Sequence, residues 1–358
     1  MTCTITNIAR FASAELTLSG LTVLSGANGS GMTTIAKALY AAVKSEIALS
    51  HDGRFSGDCS HRIEASKHPP CVEDSPASRT LAERAFSAEF GDQLANFTHP
   101  QKMSHVLCGA SRFTFSQGVC TSCRISEPRF QNVIFLDDAS VIEAQFVEED
   151  DASVSRPLFS YDGDHRQDLT AMLYGLVQRE KREGTQDMLL EEVPAKILGV
   201  LLSGRLEYRS EKERFVYREQ ERDLAFCNMG SGSKAFALLE LLLRNGCIHG
   251  STFLIIDEPE AHLHPQWQIQ MAHLLVSLAK HTTAQVLINT KSPYIIEAVR
   301  VYSEVLGIAD TARFYHVVET GVFESSLQDV SDDISPIYEA LAEPYRTLDR
   351  VYANAGDL

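Results

Sequence analysis

The chain has 358 residues, 44% hydrophobic and 22% charged, so it can bury a large core in one or two globular domains. Its 32 basic and 48 acidic residues give a formal net charge of −16, which disfavours indiscriminate binding to nucleic acid. It contains no run of about 18 to 20 apolar residues and no secretory leader, so we expect a cytoplasmic protein with no membrane partner.

Residues 1–49 predict strands, a glycine-rich loop and a helix. "CTITNIARF" and "AELTLSG" alternate apolar and polar residues, and "LTVLSG" is a short apolar run typical of a buried strand. "GANGSGMTT" follows, and Ile35, Leu39 and Val43 then recur at the spacing of an amphipathic helix. A glycine-rich loop before a helix presents N–H groups to phosphate oxygens, which predicts a nucleotide site. The predicted cradle consists of Asn28, Gly29, Ser30, Gly31, Met32, Thr33 and Thr34.

Position 32 departs from the usual phosphate-binding loop, in which a lysine precedes Ser or Thr. Met32 lacks the cation that would contact the β- and γ-phosphates, a charge-assisted hydrogen bond that contributes about 1.5 to 3 kcal/mol. Its loss weakens binding by about 10- to 150-fold, with a larger effect on the transition state. The Thr33 hydroxyl, directly after this position, is predicted to be a Mg²⁺ ligand.

Residues 50–130 are predicted to be a loop-rich insertion. Turn-forming residues dominate, and the clearest periodicity is a helix around Thr80 to Ala95. We expect the eight cysteines of the chain to be reduced thiols, since an export signal is missing. Cys120-x-x-Cys123 has the spacing of half a zinc site, but no second half completes it, so free thiols are favoured over a structural zinc.

Residues 131–224 predict a helical and hairpin subdomain. "NVIFLDD" has the pattern of a buried strand, and "DLTAMLYGLVQREKRE" and "LLEEVPAKILGVLLSG" have the pattern of helices that cover a sheet. "RLEYRSEKERFVYR" predicts a hairpin. Its mixed charges are typical of a solvated face rather than of a DNA groove.

Residues 225–358 alternate apolar strands with helices, which predicts a mainly parallel sheet with its ligand site at the carboxyl ends of the strands. "STFLIIDEPEAHLHP" ends a strand in two acids. Asp257 is predicted to hold Mg²⁺, directly or through water, and Glu258 to orient or deprotonate the attacking water. The alternative is that both acids merely cap the helix that begins near Pro259.

Four segments in order, "GANGSGMTT", "NMGSGSKAFALLELLL", "FLIIDEPEAHLHPQWQ" and "INTKSPYIIEAV", resemble the ABC-type ATPases of the SMC and overcoming-lysogenization-defect (OLD) group, found in DNA repair and bacterial anti-phage systems. The resemblance covers roughly residues 1–45 and 225–345. It implies an α/β ABC-type P-loop head with an antiparallel N-terminal β subdomain. It also implies ATP, Mg²⁺ and a head-to-head homodimer that sandwiches ATP. The implied signature residues are Ser231, Gly232 and Lys234.

Two positions differ from the group, which has lysine where Met32 stands and a γ-phosphate-sensing histidine where Lys291 stands. Three explanations remain open. Met32 is a substitution introduced to trap an inactive state, or it marks a protein that binds nucleotide and hydrolyses it slowly or not at all. In the third, Lys291 supplies the missing cation from the neighbouring strand, since lysine is a point-charge phosphate binder. The predicted catalytic residues are Glu258 and Lys291.

The resemblance does not extend to the long coiled coil of SMC proteins or to the nuclease domain of OLD proteins, since sustained heptads and a second acidic cluster are missing. "QDVSDDISPIYEALAEPYRTLD" predicts a closing helix docked on the core. We therefore expect an ATPase module that controls a separate effector, a nuclease or toxin. The alternatives are a nucleotide-binding scaffold without catalysis and a DNA-repair ATPase. His262 and His264 are predicted to contact the dimer partner.

Overall fold

The computed structural model describes residues 1–51, 71–72, 74–143, 163–183, 192–212 and 214–354. The strands are β1 (Thr2–Ile8), β2 (Phe11–Thr17), β3 (Leu21–Gly26), β4 (Cys71–Val72), β5 (Ser104–Cys108), β6 (Ser111–Ser116), β7 (Val119–Ser126), β8 (Asn132–Leu136), β9 (Arg205–Arg209), β10 (Arg214–Glu219), β11 (Arg222–Ala225), β12 (Thr252–Asp257), β13 (Gln285–Thr290), β14 (Ala312–Gly321) and β15 (Glu324–Asp329).

The helices cover both faces of the sheet. They are α1 (Met32–His51), α2 (Pro76–Phe90), α3 (His165–Glu183), α4 (Glu192–Leu201), α5 (Ser231–Arg244), α6 (Pro265–His281), α7 (Pro293–Val305) and α8 (Ser335–Asn354). None of them, within the residues described, is long and apolar enough to cross a membrane.

The functional half of the fold is a parallel sheet in the order β14-β3-β13-β12-β8. Strands β3 and β13 are buried at every position, because helices cover both faces of the sheet. The register places Asp257 of β12 opposite Asn289 of β13, and Asn289 opposite Leu24 of β3. The carboxyl ends of the three strands therefore meet at one edge, as the sequence predicted.

The other half of the sheet is antiparallel and continues in the order β4-β7-β6-β5-β1-β2, with β15 joining it to β14. The predicted N-terminal strands are confirmed. The meander β5-β6-β7 lies inside the stretch that the sequence analysis predicted to be loop-rich, and β5 pairs with β1. Its strands are short and rich in Ser, Thr, Arg and Cys, so their apolar alternation was too weak to recognise.

Helix α2 begins and ends earlier than the predicted range of Thr80 to Ala95. Pro76 occupies its first turn, the Ser75 hydroxyl accepts a hydrogen bond from the Ser78 N–H, and Gly91 ends the helix. These local signals define the observed helix better than apolar periodicity did.

The helix predicted after the glycine-rich loop is confirmed as α1, but it is buried more completely than an amphipathic surface helix. Residues 38–49 are all buried, including Lys44, Ser45 and Glu46, because α2, α3 and the antiparallel strands cover the face that faces away from the parallel sheet. Polar groups on α1 therefore need partners inside the protein.

Residues 131–224 contain the predicted strand β8, the two predicted helices and the hairpin β9-β10, which a third strand, β11, extends. The closing helix is docked only in part. Ile337 in its first turn is buried, whereas Tyr345 and Tyr352 are 72% and 86% exposed. The predicted closing helix is therefore present, and its first turn docks on the core while its C-terminal half is exposed.

Candidate nucleotide site

The glycines of the predicted phosphate loop are required by the backbone and by close packing. Gly29 and Gly31 have φ of +77° and +108°, which L side chains rarely adopt. A methyl group on Gly31 would lie 2.7 Å from the Phe11 ring. The Ser30 hydroxyl is buried and has no hydrogen-bond partner among the described residues. A tight loop with an unused buried donor beside a helix N-terminus suits an anionic ligand.

Met32 begins α1 and is 5% exposed. Its side chain belongs to the apolar cluster formed by α1, β1, β2 and the meander. Met32 is therefore accommodated as a core residue, and it brings no charge to the phosphate loop.

The two predicted Mg²⁺ ligands are in direct contact. The Thr33 hydroxyl donates a hydrogen bond of 2.7 Å to one carboxylate oxygen of Asp257, and the Asn289 amide donates a bond of 2.9 Å to the other. Thr33 and Asp257 are 224 residues apart in the sequence, and Asn289 and Asp257 are 32 residues apart. The parallel register of β3, β13 and β12 brings these side chains together. Asn289 was not predicted as a site residue, although it ends the apolar strand "AQVLIN" next to the acidic pair.

Asp257 has no cationic partner among the described residues. Burial raises the pKa of its carboxyl above the usual value, and the nearby charges of Glu258 and Asp137 act in the same direction, while the hydrogen bonds from Thr33 and Asn289 oppose them. Removing a half-buried carboxylate from water costs free energy that a divalent cation would offset. The Thr33 and Asp257 oxygens thus fit a Mg²⁺ ion.

Glu258 and Lys291 are also brought together. The Lys291 ammonium donates to the Glu258 carboxylate, and the Glu258 N–H donates to the Asn289 carbonyl at 2.9 Å. Glu258 has a φ of +50°, an uncommon conformation for a residue other than glycine. Lys291 is held further by its own N–H, which donates to Glu260 at 2.6 Å. The Lys291 ammonium, which the sequence suggested as a replacement for the missing cation, therefore contacts Glu258, the predicted general base.

The predicted signature residues lie at the start of α5, and no described hydrogen bond or ion pair joins them to the phosphate loop. Gly230 precedes the helix, and Ser231 and Gly232 occupy its first turn. A methyl group on Gly232 would lie 2.6 Å from Leu263, so this turn packs closely on the loop after Glu258. Lys234 pairs with Glu143 at 2.7 Å.

The two histidines of the loop after Glu258 have local roles in the chain. His264 caps α6 by accepting a hydrogen bond from the Gln266 N–H at 3.3 Å, and His262 is exposed with a φ of +62°. Their contact with a dimer partner stays a prediction.

Arg10 lies beside the candidate site, although the sequence pattern did not single it out. It lies in the turn between β1 and β2, and a methyl group on Gly29 would lie 3.8 Å from its Nη1 atom. Its Nη2 pairs with Glu319 at 3.0 Å, and its buried Nε has no hydrogen-bond partner among the described residues. A guanidinium with spare donors therefore lies over the phosphate loop. No local motif in "NIARFAS" marks this position, since only the fold brings it there.

The half zinc site is not completed within the described residues. Cys120 and Cys123 are buried on β7, and no group of three or more His, Cys, Asp or Glu side chains there could hold a metal ion. Another thiol pair, Cys3 and Cys108, faces across β1 and β5 with sulfurs 3.0 Å apart. Six described cysteines are free thiols, as the sequence predicted.

A glycine-rich loop on a parallel strand, an acidic pair at the end of a neighbouring strand and an antiparallel sheet beside them form the α/β arrangement that the resemblance to ABC-type P-loop ATPase heads implies. Residues 129–297 match the family described as "AAA domain, putative AbiEii toxin, Type IV TA system".

A curated relative is the Septu protein PtuA from Bacillus thuringiensis, 31% identical over 109 residues. The match covers 27% of either protein, so the chain spans about a quarter of the length of the curated relative it matches.

Similar solved structures include three SMC heads of low sequence identity to this chain. An SMC head bound to the C-winged helix domain of ScpA is 14% identical, with a TM-score of 0.47 over 92% of this chain and 96% of that one. The SMC head domain from Thermotoga maritima is 17% identical, with a TM-score of 0.39 over 92% and 98%. An SMC head with an extended coiled coil, bound to the C-terminal domain of ScpA derived from Pyrococcus furiosus, is 13% identical, with a TM-score of 0.46 over 98% of each chain.

Proposed function

We propose that the chain binds Mg·ATP at the carboxyl edge of its parallel sheet. The contact of Thr33 with Asp257 carries this proposal, because the phosphate loop and the acidic strand end are joined by the two side chains suited to a divalent cation. With nucleotide bound, the N–H groups of Asn28, Gly29 and Gly31 would face phosphate oxygens, and Thr33 and Asp257 would hold Mg²⁺.

The positive charge missing at position 32 has two candidate sources. Lys291 is the source that the sequence suggested, but it must leave Glu258 to reach a phosphate. Arg10 already lies over Gly29 with an unused Nε donor, and guanidinium is well suited to phosphate. We propose that Arg10 contributes to binding and that Lys291 acts mainly by holding Glu258.

Hydrolysis is proposed to be slow. Glu258 would orient or deprotonate water, and the Lys291 ammonium occupies one of its carboxylate oxygens. Met32 also leaves the charge that develops on the transferring phosphoryl group less stabilised. The catalytic roles of Glu258 and Lys291 are thus coupled through their ion pair.

At the level of the assembly, we propose a homodimer that sandwiches ATP, in which Ser231, Gly232 and Lys234 contact the nucleotide of the partner. We further propose that the dimer regulates a separate effector protein, a nuclease or toxin, in bacterial anti-phage defence. The similarity to a Septu protein supports this biological setting. Lys234 would have to exchange its Glu143 partner for phosphate.

The second candidate is a nucleotide-binding scaffold without catalysis. The burial of Met32 in the apolar core favours it, because the position has no polar role that a conformational change could recover. A DNA-repair ATPase is disfavoured by the net charge of −16.

Calorimetric titration with Mg·ATP and a phosphate-release assay test the proposal on the unaltered chain, Arg10→Ala, Lys291→Ala, Met32→Lys and Asp257→Asn. We expect binding by the unaltered chain, a loss of about tenfold or more in Arg10→Ala, and little turnover unless Met32 is replaced by lysine.

The control is Lys280→Ala, an exposed lysine on α6. Loss of binding in Lys291→Ala alone would show that Lys291 supplies the cation. The proposal would be refuted if the unaltered chain showed no detectable ATP binding and Asp257→Asn gave the same result. Light scattering with and without ATP tests the dimer.

A further inference from the structure

Two exposed phenylalanines lie beside the turn that carries Arg10. Phe97 is 44% exposed and Phe323 is 58% exposed, although large apolar side chains are usually buried. Their ring centroids are 6.2 Å apart and the ring planes are 87° apart. The two rings therefore form a right-angled corner at the protein surface.

The backbone places this corner next to the turn between β1 and β2 that carries Arg10. The Phe97 N–H donates to the Ala9 carbonyl at 2.8 Å, and the Ser325 N–H, two residues after Phe323, donates to the Arg10 carbonyl at 2.9 Å. Arg10 in turn lies over Gly29. Segments from two distant parts of the chain thus bring the two rings to the turn that carries Arg10, whose guanidinium lies beside the phosphate loop.

The conformation of Phe323 is not explained by the core. It has a φ of +62°, which is strained for a bulky residue, yet its ring gains little burial in return. Val322 beside it is 81% exposed. The sequence holds an aromatic ring where both backbone preference and burial disfavour it, as expected when a ligand uses the ring.

We propose that Phe97 and Phe323 form the nucleobase contact of the site, a claim that rests on the proposed nucleotide binding. One ring of a perpendicular pair offers its face for stacking while the edge of the other closes the side of the pocket. Every base has a π face, so the corner accepts purines and pyrimidines with modest preference. Arg10 then bridges the base contact and the phosphate loop.

The test compares ATP with inorganic triphosphate, which carries the phosphates without a base. Calorimetric titrations are run on the unaltered chain and on Phe97→Ala/Phe323→Ala in the presence of Mg²⁺. We expect ATP affinity to fall by about tenfold or more and triphosphate affinity to change less than twofold. Phe97→Tyr/Phe323→Tyr, which keeps both rings, should retain ATP affinity.

Tyr345→Ala/Tyr352→Ala is the matched control, since it removes two exposed aromatic rings from α8. Unchanged ATP affinity in the phenylalanine double variant would overturn the base contact and leave the proposed nucleotide site intact. Equal losses for ATP and triphosphate would also overturn it, because the rings would then act through the shape of the loop. If the unaltered chain binds neither ligand, the proposed function fails and this inference fails with it.

Discussion

Two groups of carboxylates flank helix α1, and they differ in how their charges are compensated. On the side of α2 and α3, the buried Asp168 lies 2.5 Å from the Lys44 ammonium and accepts a hydrogen bond from Tyr40 at 2.6 Å. At the start of the same helix, Asp257 accepts hydrogen bonds from the Thr33 hydroxyl and the Asn289 amide, but it has no cationic partner among the described residues.

The α3 side also contains a second compensated group. His165 lies between Glu89, at 2.8 Å, and Asp137, at 3.1 Å, and Arg166 pairs with Asp137. The carboxylates on the α3 side thus have cationic partners, whereas the Asp257 carboxylate has none among the described residues. A buried carboxylate without a cation lowers stability unless a ligand compensates it, so the incomplete group indicates a binding site and the complete group indicates structure.

Lys44→Met should give the largest change in stability. It leaves the Asp168 carboxylate in a buried environment without its lysine, and breaking a buried pair in this way costs about 3 to 5 kcal/mol. Urea unfolding of the variant and of Lys280→Met, an exposed control, measures the difference. A cost below about 1 kcal/mol would mean that the pair behaves as a surface ion pair.

The stability of the unaltered chain should fall as the pH rises from about 6.5 to about 9. Burial alone would lower the pKa of His165, but the carboxylates of Asp137 and Glu89 raise it to about 9. A raised histidine pKa contributes stability that is complete below the unfolded value and is lost as pH passes through the folded value.

The expected loss over this range is on the order of 3 kcal/mol, measured by unfolding at several pH values. His165→Gln removes the titrating group and should flatten this part of the pH profile. A profile identical to that of the unaltered chain would assign the pH dependence to another residue.

Asp257→Asn should leave the free energy of unfolding unchanged or slightly higher, because it removes a half-buried charge that has no cationic partner. The same change should weaken Mg·ATP binding by about tenfold or more. In the unaltered chain this binding should weaken on acidification at a higher pH than an ordinary aspartate would give, because the raised pKa of Asp257 allows a proton to compete with Mg²⁺. A marked loss of stability in Asp257→Asn would place this residue with the structural group.

Lys291→Ala should have only a small effect on stability, within about 1 kcal/mol. Lys291 and Glu258 are 28% and 47% exposed, so water screens their ion pair. Thermal unfolding measures the change, and Arg346→Ala, which removes an exposed pair with Glu343, is the control. A larger cost in Lys291→Ala than in the control would show that Lys291 supports the loop structure.

Several features of the fold could be predicted from local patterns alone. "LTVLSGANGSGMTT" gave the strand, the loop and the helix start, since apolar runs, glycines and helix spacing act over a few residues. "FLIIDE" gave the acidic strand end, and the alternation of strands with helices gave the parallel sheet. The meander β5-β6-β7 was missed, because strands of mixed composition are stabilised by pairing with β1 rather than by their own pattern.

The sequence by itself determined which segments form the proposed nucleotide site, because a phosphate loop and an acidic strand end are each made of neighbouring residues. The tertiary structure decided which charges are compensated. Arg10 and Gly29, Lys44 and Asp168, and Lys291 and Glu258 meet only when strands and helices pack. Electrostatic interactions depend on distance and burial, and both are properties of the folded chain rather than of any short stretch of it.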